Sequence, residues 1–144
     1  MRKTPPMGKD MDRWLGDGGM PVIAAIGGSI DEYGEGWCAG TWTPTKMACN
    51  PHDGVQAGVY AVMLDAAMNF AINASLEGKD RTRATLEMKT DCMKGAVLGE
   101  KLTVRGSLDR MTKVIAFSSA EIRNEKDELI CRSTGTFMIH RADG

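Results

Sequence analysis

From Val55 to Leu76 the chain reads VQAGVYAVMLDAAMNFAINASL, and Asp65 is the only charged residue in it. A run this long and this apolar predicts a helix over about 56–76 that is apolar almost all round. Such a helix needs cover on most of its circumference, so it belongs at the centre of a fold. Gln56, Asn69, Asn73 and the many small residues speak for a core helix rather than a membrane span. Asp65 then lies on or near a buried face. Burying an unpaired carboxylate costs several kcal/mol, by order of magnitude, unless it is hydrogen-bonded or its pKa rises. Two readings of it stand: a buried acid that ties down a neighbouring loop, or a group kept for chemistry.

The rest of the chain supplies the cover. Pro21–Tyr33 and Glu35–Thr45 read as two extended stretches joined by a Gly-rich, acidic turn at Asp31–Gly36. In the second, Trp37, Ala39 and Thr41 alternate with Cys38, Gly40 and Trp42, the period of a strand. Pro44–Gly54 is a loop. Asp53-Gly-Val-Gln56 fits a capping box that would start the helix a few residues early. After Arg81 the period becomes two. Thr82–Cys92, Lys101–Met111, Lys113–Asn124 and Glu128–His140 read as strands, with polar turns at Asp109–Lys113 and Asn124–Glu128. One helix against about six antiparallel strands is an α+β layer design. Residues 1–20 read as a polar, loose N-terminal arm with a short helix over Lys9–Leu15, and residues 21–144 as one domain. A single curved sheet wraps only part of an apolar helix, so self-association as a dimer or tetramer is expected.

The 144 residues carry a formal net charge of −1 and no basic block, which argues against nucleic acid and against a polybasic membrane anchor as partners. The N-terminus, MRKTPPMGKDMDRW, has no apolar stretch of the signal-peptide kind, and a cytoplasmic location is expected. Cys38, Cys49, Cys92 and Cys131 show no C-x-x-C spacing and read as free thiols. His52 and His140 are too isolated to suggest a metal site.

Residues four apart share a helix face, so Asp65, Asn69 and Asn73 form a polar stripe. Gln56, Ala57 and Gly58 fall at the helix N-terminus, where backbone N–H groups lack partners and carry partial positive charge. Small residues leave those groups accessible to a carbonyl oxygen, as an oxyanion hole requires. A carboxylate farther along could act on the carbonyl carbon or on a water beside it. The plain alternative is that Ala57 and Gly58 only permit close packing.

Asn50-Pro-His-Asp-Gly54-Val-Gln56-Ala57-Gly58, followed by Leu64-Asp65-Ala66-Ala67-Met68, resembles the signature of hot-dog-fold acyl-CoA thioesterases of the phenylacetate-pathway type. Thr85-Leu-Glu-Met-Lys, Val97-Leu-Gly-Glu and Thr134-Gly-Thr-Phe resemble that family's strands, and the match runs from about Gly36 to Ile139. The resemblance implies a hot-dog fold, a long central helix wrapped by a curved antiparallel sheet, and hydrolysis of an acyl-CoA to free acid and CoA without metal or other cofactor. It implies Asp65 as base or nucleophile and the N–H of Ala57, with Gly58, as oxyanion hole. Asn50 would orient water or carboxylate near a partner subunit, Gln56 stands where the family has His, and Thr85 is a strand hydroxyl that holds the water. Asn69 would be a polar substrate contact. Met68, Ile72 and Tyr60 would line the acyl pocket, and Arg110, Lys113 and Lys94 would meet the CoA phosphates.

Three departures stand out. Gln56 removes a titratable group, Ala57 adds a methyl beside the proposed hole, and Met93-Lys-Gly-Ala replaces an aromatic or Leu, Arg, Pro segment. Ala57 and Gln56 favour a non-catalytic binder of acyl or aromatic ligands as the rival reading. A hydratase or dehydratase on the same fold lacks its His.

Overall fold

A computed structural model describes residues 9–142. The first eight residues of the expected arm and the last two of the chain lie outside that range. From Lys9 onward the arm is docked rather than loose. The Lys9 N–H donates to the Leu76 carbonyl at 2.8 Å, and Gly16 and Ile30 exchange backbone hydrogen bonds. Met11 is buried, and its N–H donates to the Tyr33 hydroxyl at 2.9 Å. The short helix expected there is a 3-10 turn at Asp12–Trp14.

Pro21–Ala25 is a short helix, α1, where an extended stretch was expected. Pro21 sits at its first turn, with the φ a helix needs and no N–H to lose. Gly27, at φ +93°, ends the turn; a Cβ there would lie 2.0 Å from the Thr43 carbonyl oxygen. Strands β1 (Gly28–Gly34) and β2 (Trp37–Trp42) follow as a hairpin. Cys38, Gly40 and Trp42 face the core, as their alternation implies.

Helix α2 spans Ala57–Asn73. Gln56 is its N-cap and makes no side-chain cap bond, so the capping box does not form. Ser75 and Leu76 continue as a turn, their N–H groups donating to Ile72 and Asn73. Then come β3 (Arg81–Cys92), β4 (Leu102–Met111), β5 (Ile115–Arg123) and β6 (Leu129–His140). All six strands form one antiparallel sheet in the order β1-β2-β4-β5-β6-β3. The Asn124–Glu128 turn forms as expected, with the Asn124 side-chain oxygen accepting from the N–H groups of Lys126 and Glu128.

The helix lies across this sheet, the hot-dog arrangement. Met63, Leu64, Ala67, Met68, Ala71 and Ile72 are fully buried against it. The helix approaches β4 so closely that a Cβ at Gly106 would lie 2.4 Å from the Ala67 carbonyl oxygen. The Cys38 thiol donates to that same oxygen at 3.2 Å. Removing a buried side chain such as Leu64 would cost about 2–5 kcal/mol. The opposite side of the helix is open: Ala57 and Gly58 are exposed, and Ala61, Val62, Asp65, Asn69 and Asn73 are half-buried. No helix among the described residues is long and apolar enough to cross a membrane.

Candidate active site

The polar stripe of α2 meets the inner face of β3. The Thr85 hydroxyl donates to Asp65 Oδ1 at 2.9 Å, and Asn69 Nδ2 donates to the same oxygen at 3.2 Å and to the Asp65 carbonyl at 2.9 Å. One turn farther, Asn73 Nδ2 donates to Asn69 O and to Thr82 Oγ1, both at 2.9 Å, while its side-chain oxygen accepts from the Thr82 N–H. Asp65, Asn69 and Thr85 thus form one constellation.

Thr82 and Thr85 are three apart, and in a regular strand they would face opposite sides. The register between β3 and β6 shifts between Thr82 and Ala84 and again between Thr85 and Glu87. The first shift turns both threonines toward the helix. A bulge of this kind re-aims a side chain beside a functional site.

Burial pushes the Asp65 carboxyl above its ordinary value, and the hydrogen bonds from Thr85 and Asn69 oppose that rise without cancelling it. Both side-chain donors reach Oδ1, and no donor among the described residues reaches Oδ2. A half-buried carboxylate held through one oxygen, with no donor among the described residues on the other, can deprotonate a water or attack an electrophilic carbon.

The second group of residues lies at the start of the helix. Asn50 Oδ1 accepts from the N–H groups of His52 (2.9 Å) and Gly54 (3.2 Å). This fastens a tight loop in which Asp53 takes φ +63° and pairs with Lys46. The loop is closed to the body by Val55 N–H on the Ala96 carbonyl and Gln56 N–H on the Ala48 carbonyl. It leads into Ala57, whose N–H has no acceptor within the helix. Ala57 and Asp65 are eight residues apart, about 12 Å along the axis. No single carbonyl touches both groups of one chain.

Other residues lie elsewhere. Tyr60 is buried, its ring edge-on to Trp42 and its hydroxyl accepting from the Ala96 N–H at 2.7 Å. Met68 and Ile72 are closed off from solvent in the core. Arg110 and Lys113 are exposed toward the β4–β5 turn. Arg110 is three strands from the Thr85 strand in the sheet order, about 14 Å. Lys94 pairs with Glu128 at 2.9 Å. Among the described residues no cluster of three or more His, Cys, Asp or Glu is placed to hold a metal ion. Asn73 belongs to the stripe that the helical period marks, whereas Thr82 as its partner and the arm that packs beside them carry no signal in the sequence pattern.

Residues 55–131, over half the chain, match the family described as the thioesterase superfamily. No curated protein matches the chain. Among solved structures, a thioesterase from Haemophilus influenzae is 21% identical, with TM-score 0.76 over 83% of this chain and 82% of its own. A phenylacetic acid degradation-related protein from Ralstonia eutropha is 25% identical, with TM-score 0.74 over 83% and 89%. A protein of Streptococcus mutans bound to acetyl CoA is 14% identical, with TM-score 0.72 over 81% and 91%.

Proposed function

Because the chain belongs to the thioesterase superfamily, we propose that it hydrolyses an acyl-CoA to the free acid and CoA. The observation that carries this reading is Asp65. Its carboxylate is half-buried, raised in pKa by burial, and steadied through Oδ1 by Thr85 and Asn69. Oδ2 delivers the attack, directly or through a water it deprotonates, at the thioester carbonyl carbon. The carbonyl oxygen gains negative charge and is met by the N–H groups of Ala57 and Gly58. The C–S bond then breaks and CoA leaves as the thiolate, which takes up the proton that Oδ2 drew from the attacking water. Where Oδ2 attacks directly, the acyl–Asp65 anhydride so formed is cleaved by a water, which releases the free acid, restores the carboxylate and supplies the proton to the thiolate.

The 12 Å between Asp65 and Ala57 makes this site a shared one. Two chains bring them together when their α2 helices lie antiparallel about a twofold axis passing near Ala61, midway between the two residues. Gly58, Ala61 and Val62 on the open side of the helix are small enough for close approach. Each dimer then carries two sites, with Asp65 from one chain and the Asn50–Gly58 segment from the other. Support for CoA as the thiol comes from the acetyl CoA held by the S. mutans protein of the same fold.

The test is thiol release from short-chain, long-chain and aromatic acyl-CoAs, run beside sedimentation of the purified protein. Turnover of at least one substrate by a dimer or larger assembly supports the proposal. Binding of acyl-CoA without thiol release would leave a ligand-binding protein instead.

A further inference from the structure

Beside the Asp65 stripe lies an open cleft of about 500 Å³, lined by the docked arm, the second half of α2 and the start of β3. Four of its lining residues are cationic: Lys9, Arg13, Lys79 and Arg81. None is an acid, in a chain whose net charge is −1. Its helix wall carries Asn69 and Asn73, and Phe70 and Met20 supply apolar surface between.

We propose that this cavity receives the acyl group, and that the preferred acyl group ends in a second carboxylate. The inference rests on Asp65 being the hydrolytic carboxylate. Three observations lead to it.

The first is continuity. Asn69 both bonds Asp65 Oδ1 and lines the cavity, so the cavity begins one helical turn from the carboxylate, within reach of an acyl chain whose thioester carbonyl lies at Asp65. The second is charge. Among the described residues, no ion pair occupies Arg13, Lys79 or Arg81. Arg13 stacks over Trp14 at 4.8 Å, and Arg81 donates only to the Thr82 carbonyl at 3.3 Å. The neighbouring acid, Asp80, does not line the cavity; it is held by Arg141 at 3.1 Å and by the Ala142 N–H at 2.8 Å, and its charge is felt by Lys9. Lys9 Nζ donates to the Asp80 carbonyl oxygen at 2.5 Å, and burial lowers the Lys9 pKa. A neutral hydrocarbon chain would leave these cations without use; a carboxylate uses them.

The third is distance. Asn69 and Asn73 lie about 6 and 12 Å along the helix from Asp65. That is the span of a short dicarboxylic acyl chain. It is less than the pantetheine arm that separates a CoA thioester from its diphosphate. The cavity therefore fits the acyl end of the substrate better than the nucleotide end.

The experiment separates pocket from chemistry. Adipyl-CoA and hexanoyl-CoA have the same carbon count and differ in the terminal carboxylate. Their binding is measured on the Asp65→Asn variant, with and without Arg13→Gln and Arg81→Gln together. Each exposed cation–carboxylate contact multiplies affinity about two- to fivefold, so adipyl-CoA should bind roughly tenfold more tightly, with the preference falling toward one when both arginines are replaced. Equal affinity of the two ligands for the Asp65→Asn protein overturns the inference. So does an equal loss for both ligands on replacing the arginines, which would assign the cations to CoA phosphates. Thiol release by the unmodified protein reports separately on hydrolysis. An adipyl preference in binding with no turnover of either ligand would keep the pocket assignment and refute the hydrolytic role of Asp65.

Discussion

Ala57→Pro isolates the oxyanion hole from the fold. Ala57 is the first residue of α2, and its N–H has no acceptor within the helix, so proline removes no helical hydrogen bond. Proline is favoured at this position. It also requires an extended residue before it, and Gln56 already has φ −68° and ψ 138°. A compatible proline changes stability by about 0.4–1 kcal/mol in the favourable direction. The melting temperature should therefore hold or rise slightly. The catalytic effect is opposite in sign and larger. Removing one donor to a developing oxyanion costs about 2.7–4 kcal/mol, or 100- to 1000-fold in kcat. Because the Gly58 N–H remains, the loss should fall near 100-fold. KM should change little, since the interaction strengthens in the transition state. Ala57→Gly, which keeps the N–H, should stay active. The assay is thiol release under saturating acyl-CoA, paired with thermal melts. A folded Ala57→Pro protein with undiminished kcat would refute the assignment.

Thr85→Val removes the 2.9 Å donor to Asp65 Oδ1 and keeps the side-chain shape. A hydrogen bond to a charged group is worth about 1.5–3 kcal/mol, and exposure of Thr85 places this one at the low end, so kcat/KM should fall about tenfold. The acid limb of its pH profile should move to higher pH, and Thr85→Ser should restore both. Asp65→Asn should stabilise the protein near neutral pH. Burial raises the folded-state pKa of Asp65, so its ionisation costs stability as pH rises from the unfolded value of about 3.9 through the folded one. Melts at about pH 3 and about pH 7 check the sign: the variant's advantage should appear only at the higher pH. Alkylation with peptide mapping tests the thiols. Cys92 is exposed and should react in the native protein. Cys38, buried and pushed up to about 12, and Cys131, buried and likewise pushed up, should react only on unfolding.

The helix and its polar stripe were legible because both rest on a local period. Asp65, Asn69 and Asn73 recur every four residues, and the structure joins them by side-chain bonds at that spacing. The later strands were legible for the same reason. Pro21–Ala25 was not, because Val22 and Ile23 favour strands while the decisive signals are Pro21 and the Gly27 turn. The face of Thr82 and Thr85 was not legible either. Alternation places them on opposite sides, and only the bulge between them turns both inward. Arg13 and Lys79 lie far apart in sequence and meet because the Leu76 carbonyl and Tyr33 hydroxyl hold the arm against the body. Tyr60 and Met68 look like candidate pocket residues on an apolar helix, but the sheet covers that side.

The central claim is that the Asp65 carboxylate performs the hydrolysis. Thiol release by Asp65→Asn, measured beside the unmodified protein on the same acyl-CoA and at the same oligomeric state, tests it most directly. Asparagine keeps the size and the oxygen that Thr85 and Asn69 bond, but it can neither attack nor take a proton. The account expects turnover to collapse by at least 100-fold, the scale of a lost general base, while the assembly persists. Equal turnover by the two proteins would contradict it and leave Asp65 a structural acid that anchors β3 through Thr85.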